Sequence, residues 1–247
     1  MTVELRGRKA LVTGGAKRLG RATALALARA GADVVVHYHT AAEEARATVR
    51  DLEACGVRAW AVGAELSRED EARRAVDEAN RLAGPLDILV NGASSFPKSA
   101  FETFTRDELD ASIAVNAWAP LVLARRFVEQ AEGGHIVNFL DTRAFGYDWQ
   151  HVAYHASKAL FVLFTREMAL RYAPRFLVNG IAPGLILPPP GESADYLEKL
   201  KNTNPLGRAG TPEDIAAAVL FLVGSRFTTG QVLFVDGGRH LREASRG

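Results

Sequence analysis

The feature that most constrains the fold is the alternation of short apolar runs with longer amphipathic stretches along the whole chain. Several of the apolar runs lack the polar alternation of a half-buried strand, which is typical of strands buried on both faces of a parallel sheet. Seven runs are predicted as strands: 9–14, 33–38, 58–64, 87–93, 135–141, 176–182 and 231–238.

The stretches between these runs carry apolar residues at helical spacing, and Thr211 followed by Pro212 is typical of a helix start. Helices are predicted at about 18–30, 41–55, 68–82, 105–130, 152–173 and 212–223. The alternation of strands and helices, without an internal linker or repeat, predicts an α/β fold. We expect one doubly wound, seven-stranded parallel sheet with helices on both faces, as a single domain over residues 1–247.

Charge and cysteine content narrow the class of protein. The 247 residues hold 30 Lys and Arg against 29 Asp and Glu, which argues against a general nucleic-acid or membrane-surface role. Cys55 is the only cysteine, so no intrachain disulfide can form and a reducing compartment is expected. The chain has no apolar run of about 18 residues and no apolar leader before the first strand. We therefore expect a cytoplasmic enzyme that spans no membrane.

A glycine-rich turn, TGGAKRLG at 13–20, joins the first predicted strand to the first predicted helix. Such a turn lets backbone N–H groups and the helix N-terminus meet a pyrophosphate, although a purely structural turn is the alternative. The second strand ends in HYHT at 37–40 rather than in the acid that binds an NAD ribose, and Lys17 and Arg18 supply positive charge. The pattern favours NADPH over NADH, unless both cations are only solvated loop charges.

A second motif, YHASK, places Tyr154 and Lys158 four residues apart, on one face of the predicted helix 152–173. A lysine ammonium near a phenol stabilises the phenolate and lowers the tyrosine pKa from its usual value of about 10. Such a tyrosine can pass a proton to a developing anion at neutral pH. The alternative is a surface tyrosine beside a solvated lysine, and the upstream glycine-rich turn favours the catalytic interpretation.

Six motifs, in order along nearly the whole chain, resemble the short-chain dehydrogenase/reductase family: TGGAKRLG, NGAS, VNAWAP, YHASK, NGIAPG and TGQVLFVDGG. The resemblance implies a Rossmann fold and an NAD(P)-dependent oxidoreductase. It implies that Asn116, Tyr154 and Lys158 are three of the family's four catalytic positions. Lys158 would also hold the nicotinamide ribose, and Asn116 would hold a water in a proton relay.

The fourth family position, usually a serine, is Asp141, thirteen residues before Tyr154. A serine hydroxyl donates a hydrogen bond to a carbonyl oxygen that becomes an alkoxide, whereas an ionised aspartate only accepts and would repel that charge. Asp141 therefore argues against a simple ketone acceptor. It suits a C=N bond, where a proton must reach a ring nitrogen and a carboxylate can orient the tyrosine or a water, or deliver the proton itself.

One branch of the family shares this aspartate, and the chain is similar to its pteridine reductases and bacterial dihydromonapterin reductases. Other shared features are the arginine in AKRLG, the strand end HYH, ASSF after the fourth strand and the terminus DGGRHLR. In that branch an aromatic at the position of Phe96 stacks on the pterin. The resemblance implies NADPH-dependent reduction of a dihydropterin, such as dihydrobiopterin, dihydromonapterin or dihydrofolate, to the tetrahydro form. The alternatives are a carbonyl reductase of another flat substrate and a non-catalytic NADPH-binding sensor.

The resemblance also implies which residues form each part of the site. The cofactor residues are Gly14, Lys17, Arg18, Leu19, His37, Tyr38, His39, Thr40, Glu65, Leu66, Asn91, Gly92, Ala93, Ser94, Tyr154, Lys158, Pro183, Gly184, Leu185 and Ile186. The acceptor residues are Arg18, Ser95, Phe96, Asp141, Tyr154, Leu187 and Tyr196, and no metal is expected. Gly92, Glu65 and Thr40 depart from the family pattern, where an asparagine, an aspartate and a basic residue are usual.

The irregular segment 184–210 contains three consecutive prolines and a short predicted helix from Ala194 to Asn202. A long insertion after a strand's carboxyl end is expected to cover the acceptor. The resemblance implies a homotetramer, in which Arg239 or Arg242 of a neighbouring subunit approaches the active site. The last few residues of the chain are expected to form a disordered tail.

Overall fold

The computed structural model of the chain describes residues 3–189, 191–193 and 195–244. Its strands are β1 Lys9–Val12, β2 Asp33–Tyr38, β3 Ala59–Gly63, β4 Ile88–Asn91, β5 Gly134–Phe139, β6 Phe176–Pro183 and β7 Val232–Val235. They form one parallel sheet in the order β3-β2-β1-β4-β5-β6-β7. The predicted Rossmann-type α/β fold is confirmed, with several strands shorter than predicted.

Helices connect the strands and cover both faces of the sheet. They are α1 Arg18–Arg29, α2 Ala42–Glu53, α3 Glu69–Ala83, α4 Arg106–Ile113, α5 Ala119–Gln130, α6 Val152–Tyr172, α7 Asp195–Leu200, α8 Pro212–Gly224 and α9 Arg239–Ala244. The predicted start of α8 is confirmed, because Thr211 caps the helix and forms a capping box with Asp214. None of the described helices is long and apolar enough to cross a membrane.

The helical stretch predicted at about 105–130 is present from Arg106 to Gln130, but it is not one uniform α-helix. A π-helical turn, Ala114–Trp118, separates α4 from α5 and carries the buried Asn116. Single π turns often occur at functional sites, because the extra residue redirects the side chains around it. Hydrophobic periodicity does not reveal one inserted residue, which is why the turn was not predicted.

Two predictions concern segments that the structure describes in part. The predicted helix from Ala194 to Asn202 is present as α7, followed by a 3-10 turn at Lys201–Thr203, while Ala194 lies outside the described residues. The expected disordered tail concerns residues 245–247, which also lie outside the described part of the chain.

Two apolar layers, one on each face of the sheet, explain the unbroken apolar runs of the central strands. On β4, Leu89 packs in the layer formed with α3, α5 and α6, whereas the next residue, Val90, packs in the layer formed with α1, α2 and α8. Leu11 and Val12 alternate in the same way on β1. Each fully buried side chain of this size contributes about 1.5–3 kcal/mol to folding, and a polar side chain on either face is costly unless it finds a hydrogen-bond partner.

The strand order switches direction between β1 and β4, which leaves a crevice outside their carboxyl ends. Thr13, just after β1, joins the chain that follows β4, because its Oγ1 accepts the N–H groups of Gly92 at 3.0 Å and Ala93 at 3.1 Å. A Cβ at position 92 would lie 2.8 Å from the backbone oxygen of Thr13. A larger residue at position 92 would therefore require the chain after β1 to shift.

Candidate active site

A cleft of about 460 Å³ opens at this crevice. Its walls come from the glycine-rich turn, the chain after β4, β5 and β6, the start of α6 and the segment 184–210. The described lining residues are Gly14, Lys17, Arg18, Leu19, Gly20, Gly92, Ala93, Ser94, Phe96, Phe139, Leu140, Asp141, Thr142, Arg143, Tyr154, Lys158, Pro183, Gly184, Leu185, Ile186, Leu187, Pro189, Tyr196 and Arg239.

The carboxylate that replaces the family serine contacts the tyrosine directly. Tyr154, in the first turn of α6, donates its hydroxyl proton to Oδ2 of Asp141 at 2.7 Å. The other oxygen, Oδ1, accepts the backbone N–H of Arg143 at 2.8 Å and caps the 3-10 turn Thr142–Phe145. Asp141 is therefore held by the backbone on one side and by the phenol on the other.

The pKa of Tyr154 is shifted in the direction opposite to the sequence prediction. Burial first, and the Asp141 carboxylate second, raise the pKa of Tyr154 well above its usual range. The Nζ atom of Lys158 donates to the backbone oxygen of Phe139 at 2.7 Å and lies 5.8 Å from the centre of the Tyr154 ring. The prediction that Lys158 lowers the tyrosine pKa was therefore wrong, and the raised pKa keeps the Tyr154 hydroxyl protonated at physiological pH. Burial also lowers the pKa of Lys158 to about 8.

Asn116 joins the chain after β4 to α6. Its Oδ1 accepts from the Ser94 hydroxyl and the Ser95 N–H, both at 2.9 Å. Its Nδ2 donates to the Ser95 oxygen at 3.0 Å and to the Ser157 hydroxyl at 3.1 Å, and Ser157 in turn donates to the backbone oxygen of Tyr154. Asn116 thus positions the backbone of the tyrosine's turn. Ser157 was not predicted, although its place inside YHASK was a signal for it.

The glycine-rich turn brings three chain segments together. Gly14 has a φ of +65°, and a Cβ there would lie 3.0 Å from Cα of Ala93. A Cβ at Gly20 would lie 2.1 Å from the backbone oxygen of Gly14, so the start of α1 cannot pack here with any other residue. The turn leaves the N-terminus of α1 open to the cleft, as a pyrophosphate site requires.

The two cations of this turn differ in what they contact. Lys17 forms an exposed ion pair with Glu44 at 2.6 Å. Arg18 adopts a left-handed backbone with a φ of +53°, and its Nη2 donates to the backbone oxygen of Pro188 at 2.6 Å. Arg18 therefore joins the glycine-rich turn to the segment 184–210, across the mouth of the cleft.

His37 supports the glycine-rich turn from inside the protein. Its Nδ1 accepts the N–H of Gly14 at 3.2 Å, so its Nε2 carries the proton and donates to the backbone oxygen of Ala64 at 3.1 Å. Burial is the main cause that lowers the pKa of His37 to about 4. His39, two residues later, pairs instead with Glu65 at 2.7 Å on the surface.

We expect the stability of the protein to fall between pH 6.5 and pH 4 because His37 is held neutral. The unfolded chain binds a proton at this histidine near pH 6.5, whereas the folded chain binds it only near pH 4. The free energy of unfolding should drop by on the order of 3 kcal/mol across that window. Chemical denaturation at several pH values checks this against His37→Gln, which should lose less stability. Parallel pH curves for the two proteins would rule out the contribution.

Phe96 lies at the centre of a group of aromatic and charged side chains beside Tyr154. Its ring stacks on His151 at 4.1 Å between centroids and meets the Tyr154 ring edge-on at 4.6 Å. The guanidinium carbon of Arg143 lies 4.8 Å from the centre of the Phe96 ring. Asp148 pairs with Arg143 at 3.3 Å and with His151 at 3.1 Å, which fixes the group on one side.

Several predicted site residues lie outside the described lining of the cleft: His37, Tyr38, His39, Thr40, Glu65, Leu66, Asn91, Ser95 and Asn116. Leu66 is buried in the apolar core, so its side chain supports the sheet. Asn91 is also buried and donates to Oδ1 of Asn138 at 2.9 Å, but its own Oδ1 has no hydrogen-bond partner. A buried acceptor of this kind, next to the cleft, can receive a hydrogen bond from a bound ligand or an ordered water.

The lining also contains residues that were not predicted to belong to this site: Gly20, Phe139, Leu140, Thr142, Arg143, Pro189 and Arg239. Arg239 was predicted beside a neighbouring subunit's site, and here it lines the cleft of its own chain. Arg242 donates to the backbone oxygen of Asn202. Arg143 follows Asp141 by two residues in the sequence, and this proximity was the signal that it could line the same cleft.

No group of three or more His, Cys, Asp or Glu side chains is placed to hold a metal ion within the part of the chain that the structure describes.

Comparison with known proteins identifies the family. The family model described as enoyl-(acyl carrier protein) reductase matches residues 14–240. Among curated relatives, the putative ketoacyl reductase 2 of the granaticin polyketide synthase from Streptomyces violaceoruber is 35% identical over 242 residues, which span 94% of this chain and 96% of the relative.

Two solved structures have the same fold over almost all of the chain. FolM alternative dihydrofolate reductase 1 from Brucella canis, complexed with NADP, has a TM-score of 0.89 at 32% identity and covers 96% of both chains. A short-chain dehydrogenase from Burkholderia cenocepacia J2315, in complex with NADP, has a TM-score of 0.88 at 36% identity and covers 96% of this chain and 99% of its own. The chain is an oxidoreductase and belongs to the short-chain dehydrogenase/reductase family.

Proposed function

We propose that the protein is an NADPH-dependent reductase that adds hydride to the C=N bond of a dihydropterin and yields the tetrahydro form. The observation that carries the proposal is the 2.7 Å hydrogen bond from Tyr154 to Asp141. A carboxylate at this position repels the alkoxide that forms during ketone reduction, whereas it is compatible with a ring nitrogen that gains a proton. The FolM dihydrofolate reductase neighbour supports the same substrate class.

The residues of the cleft fit a nicotinamide dinucleotide. The open N-terminus of α1 and the nearby Lys17 and Arg18 suit its phosphates, and the Oδ1 atom of Asn91, buried without a partner, suits a ribose hydroxyl or an ordered water. Both solved neighbours described above contain NADP. When bound, NADPH supplies the hydride that reduces the acceptor.

The protein's own task in the reaction is to deliver a proton to the acceptor nitrogen. Reduction of the pterin places hydride on C6, and a proton must reach N5 by way of Tyr154, Asp141 or a linked water. The raised pKa of Tyr154 keeps its hydroxyl protonated, so the phenol is a donor rather than a base before reduction. A nearby negative charge favours the protonated form of a group, so the Asp141 carboxylate favours protonation of an acceptor nitrogen at this end of the cleft.

A ketoreductase for a different flat substrate is the second candidate. It is favoured by the granaticin ketoacyl reductase relative, which matches over almost the whole chain. In that case Asp141 would have only the structural role of capping the turn Thr142–Phe145, which its contact with Arg143 already performs.

The two candidates are separated by the oxidation of NADPH with dihydrobiopterin, dihydromonapterin and dihydrofolate, compared with a panel of ketones at equal concentration. We expect NADPH consumption with at least one dihydropterin, with the tetrahydropterin identified by mass spectrometry. Turnover of ketones without turnover of any dihydropterin would overturn the proposed function and favour the second candidate.

The preference for NADPH is tested by Arg18→Gly. We expect the dissociation constant of NADPH to rise about 10–100-fold, the equivalent of one charge-assisted hydrogen bond, while that of NADH changes little. Position 18 has a φ of +53°, which glycine adopts without strain, so the fold should not be destabilised by the backbone. Calorimetric titration of both cofactors provides the measurement, and equal losses for NADPH and NADH would contradict the assignment.

We also propose that the protein works in the cytoplasm as a homotetramer. Support for assembly comes from α6, where Leu163 is 51% exposed and Leu170 is 84% exposed in the single chain. The two leucines are seven residues apart and share one face of α6, and an exposed apolar face suits a subunit contact. Light scattering coupled to size-exclusion chromatography should give four times the mass of the chain, and a monomer would contradict the proposal.

A further inference from the structure

The charges along the described lining of the cleft are unevenly distributed. Asp141 is the one carboxylate, whereas Lys17, Arg18, Arg143, Lys158 and Arg239 are cationic. Lys17 and Arg18 lie at the glycine-rich turn, where the cofactor phosphates belong under the proposed function. Arg143 lies at the other end, beside Asp141 and Phe96, where an acceptor must sit to receive a proton from Tyr154.

The backbone of Arg143 is fixed relative to the proton-transfer pair. Its N–H is bound by Oδ1 of Asp141 at 2.8 Å, and the residue belongs to the 3-10 turn that Asp141 caps. The Tyr154 hydroxyl contacts the opposite oxygen of the same carboxylate. The backbone from which the Arg143 side chain extends is thereby set with respect to the reacting end of the cleft.

The guanidinium of Arg143 is partly exposed, and one carboxylate does not use all of its N–H groups. Its side chain is 22% exposed, and its closest anionic partner is Asp148 at 3.3 Å, which is shared with His151. Asp148 also accepts the N–H groups of Gln150 and His151. A guanidinium offers five N–H groups, and among the described residues Asp148 is the one ion-pair partner of Arg143. Arg143 lines the cleft, so a ligand bound there can accept hydrogen bonds from the N–H groups that Asp148 does not engage.

We propose that Arg143 recognises an anionic group carried on or next to the flat ring of the acceptor, so that the enzyme prefers acceptors with a carboxylate at that place. The guanidinium lies over the Phe96 ring at 4.8 Å, so an acceptor ring that packs beside Phe96 brings its substituents within reach of the free N–H groups. Arginine suits this task because its planar fork binds a carboxylate through two hydrogen bonds. The inference deepens the proposed function and rests on its flat acceptor.

The test compares two ligands that differ by one carboxylate. Binding of pterin-6-carboxylate and 6-hydroxymethylpterin is measured by pterin fluorescence in the presence of NADP, which prevents turnover. We expect the wild-type protein to prefer the carboxylate, and Arg143→Met to lower that preference, the ratio of the two dissociation constants, at least tenfold. Methionine keeps most of the apolar stem of arginine, so the packing against Phe96 is largely retained.

Two further variants make the outcome specific to Arg143. Asp148→Asn removes the anion that competes for the guanidinium, so it should raise the preference for the carboxylate. Arg81→Met removes the same charge from an exposed position on α3, where Arg81 pairs with Glu78, and should leave the ratio unchanged. An unchanged ratio in Arg143→Met, or an equal fall of the ratio in Arg81→Met, would overturn the proposal.

The role proposed for Arg143 and the proposed pterin substrate are tested separately. If the wild-type protein binds NADP but neither pterin, and reduces no dihydropterin, the proposed function is overturned, and the same ratio is measured with 2-naphthoate and 2-naphthalenemethanol as flat probes. A preference for the carboxylate that Arg143→Met removes then supports the role of Arg143. The absence of that preference overturns it.

Discussion

Tyr154→Phe should lower kcat for acceptor reduction by about 100- to 10,000-fold, the range for loss of a positioned proton donor. The substitution removes one hydroxyl, and the 2.7 Å hydrogen bond to Asp141 goes with it. The ring remains, so the edge-on contact with Phe96 at 4.6 Å should persist. Steady-state rates of NADPH oxidation with a saturating acceptor provide the measurement.

Binding of the cofactor separates a chemical defect from a structural one. Lys158 is held by the backbone oxygen of Phe139 rather than by the tyrosine hydroxyl, so its position should not depend on that hydroxyl. We therefore expect the dissociation constant of NADPH to stay within about threefold of the wild-type value. A Tyr154→Phe enzyme with more than one tenth of the wild-type kcat would exclude the phenol as the proton donor.

Asp141→Ser should exchange one acceptor class for another. We expect kcat for dihydropterin reduction to fall about 100-fold, the lower end of the range for positioned proton-transfer groups. Reduction of ketones should rise, because a serine hydroxyl can donate to a developing alkoxide. Serine can also cap the turn Thr142–Phe145, so the fold around Arg143 should survive. NADPH binding should change little, since the predicted cofactor residues do not include Asp141.

The matched control is Asp141→Asn, which keeps the shape and the capping oxygen but removes the charge. Asparagine should reduce dihydropterin turnover as serine does, without creating ketone reduction to the same extent. Equal dihydropterin rates in the wild-type protein and both variants would remove Asp141 from the mechanism and leave it the structural role of capping Arg143.

The fold could be predicted because the pattern of each strand and helix lies within a few consecutive residues and recurs along the chain. Each strand is an apolar run such as DVVVHY at 33–38, and burial on both faces removes the need for polar alternation. The start of α8 could be predicted from Thr211 and Pro212, since a cap and a proline act within one turn. The presence of Tyr154 and Asp141 in one cleft followed from the resemblance of their motifs to the family.

The remaining features depend on contacts between segments that are distant in the sequence. The shift in the pKa of Tyr154 depends on burial and on which group Lys158 contacts, and motif spacing reveals neither. His37 was predicted to bind the cofactor at the end of β2. It is instead buried within the protein, where it accepts the N–H of Gly14. Arg143 was not predicted to line the cleft, because its place over the Phe96 ring depends on the 3-10 turn Thr142–Phe145.

Under the proposed function, this cleft reduces a C=N bond of a pterin, with Asp141 beside the proton donor. The most direct measurement uses NADPH carrying deuterium in both positions at C4, a dihydropterin as acceptor and mass spectrometry of the product. We predict a tetrahydropterin that is one mass unit heavier than the product formed with unlabelled NADPH, with the deuterium on C6. A tetrahydropterin without deuterium, or no tetrahydropterin while a ketone acceptor gains the label, would contradict the claim.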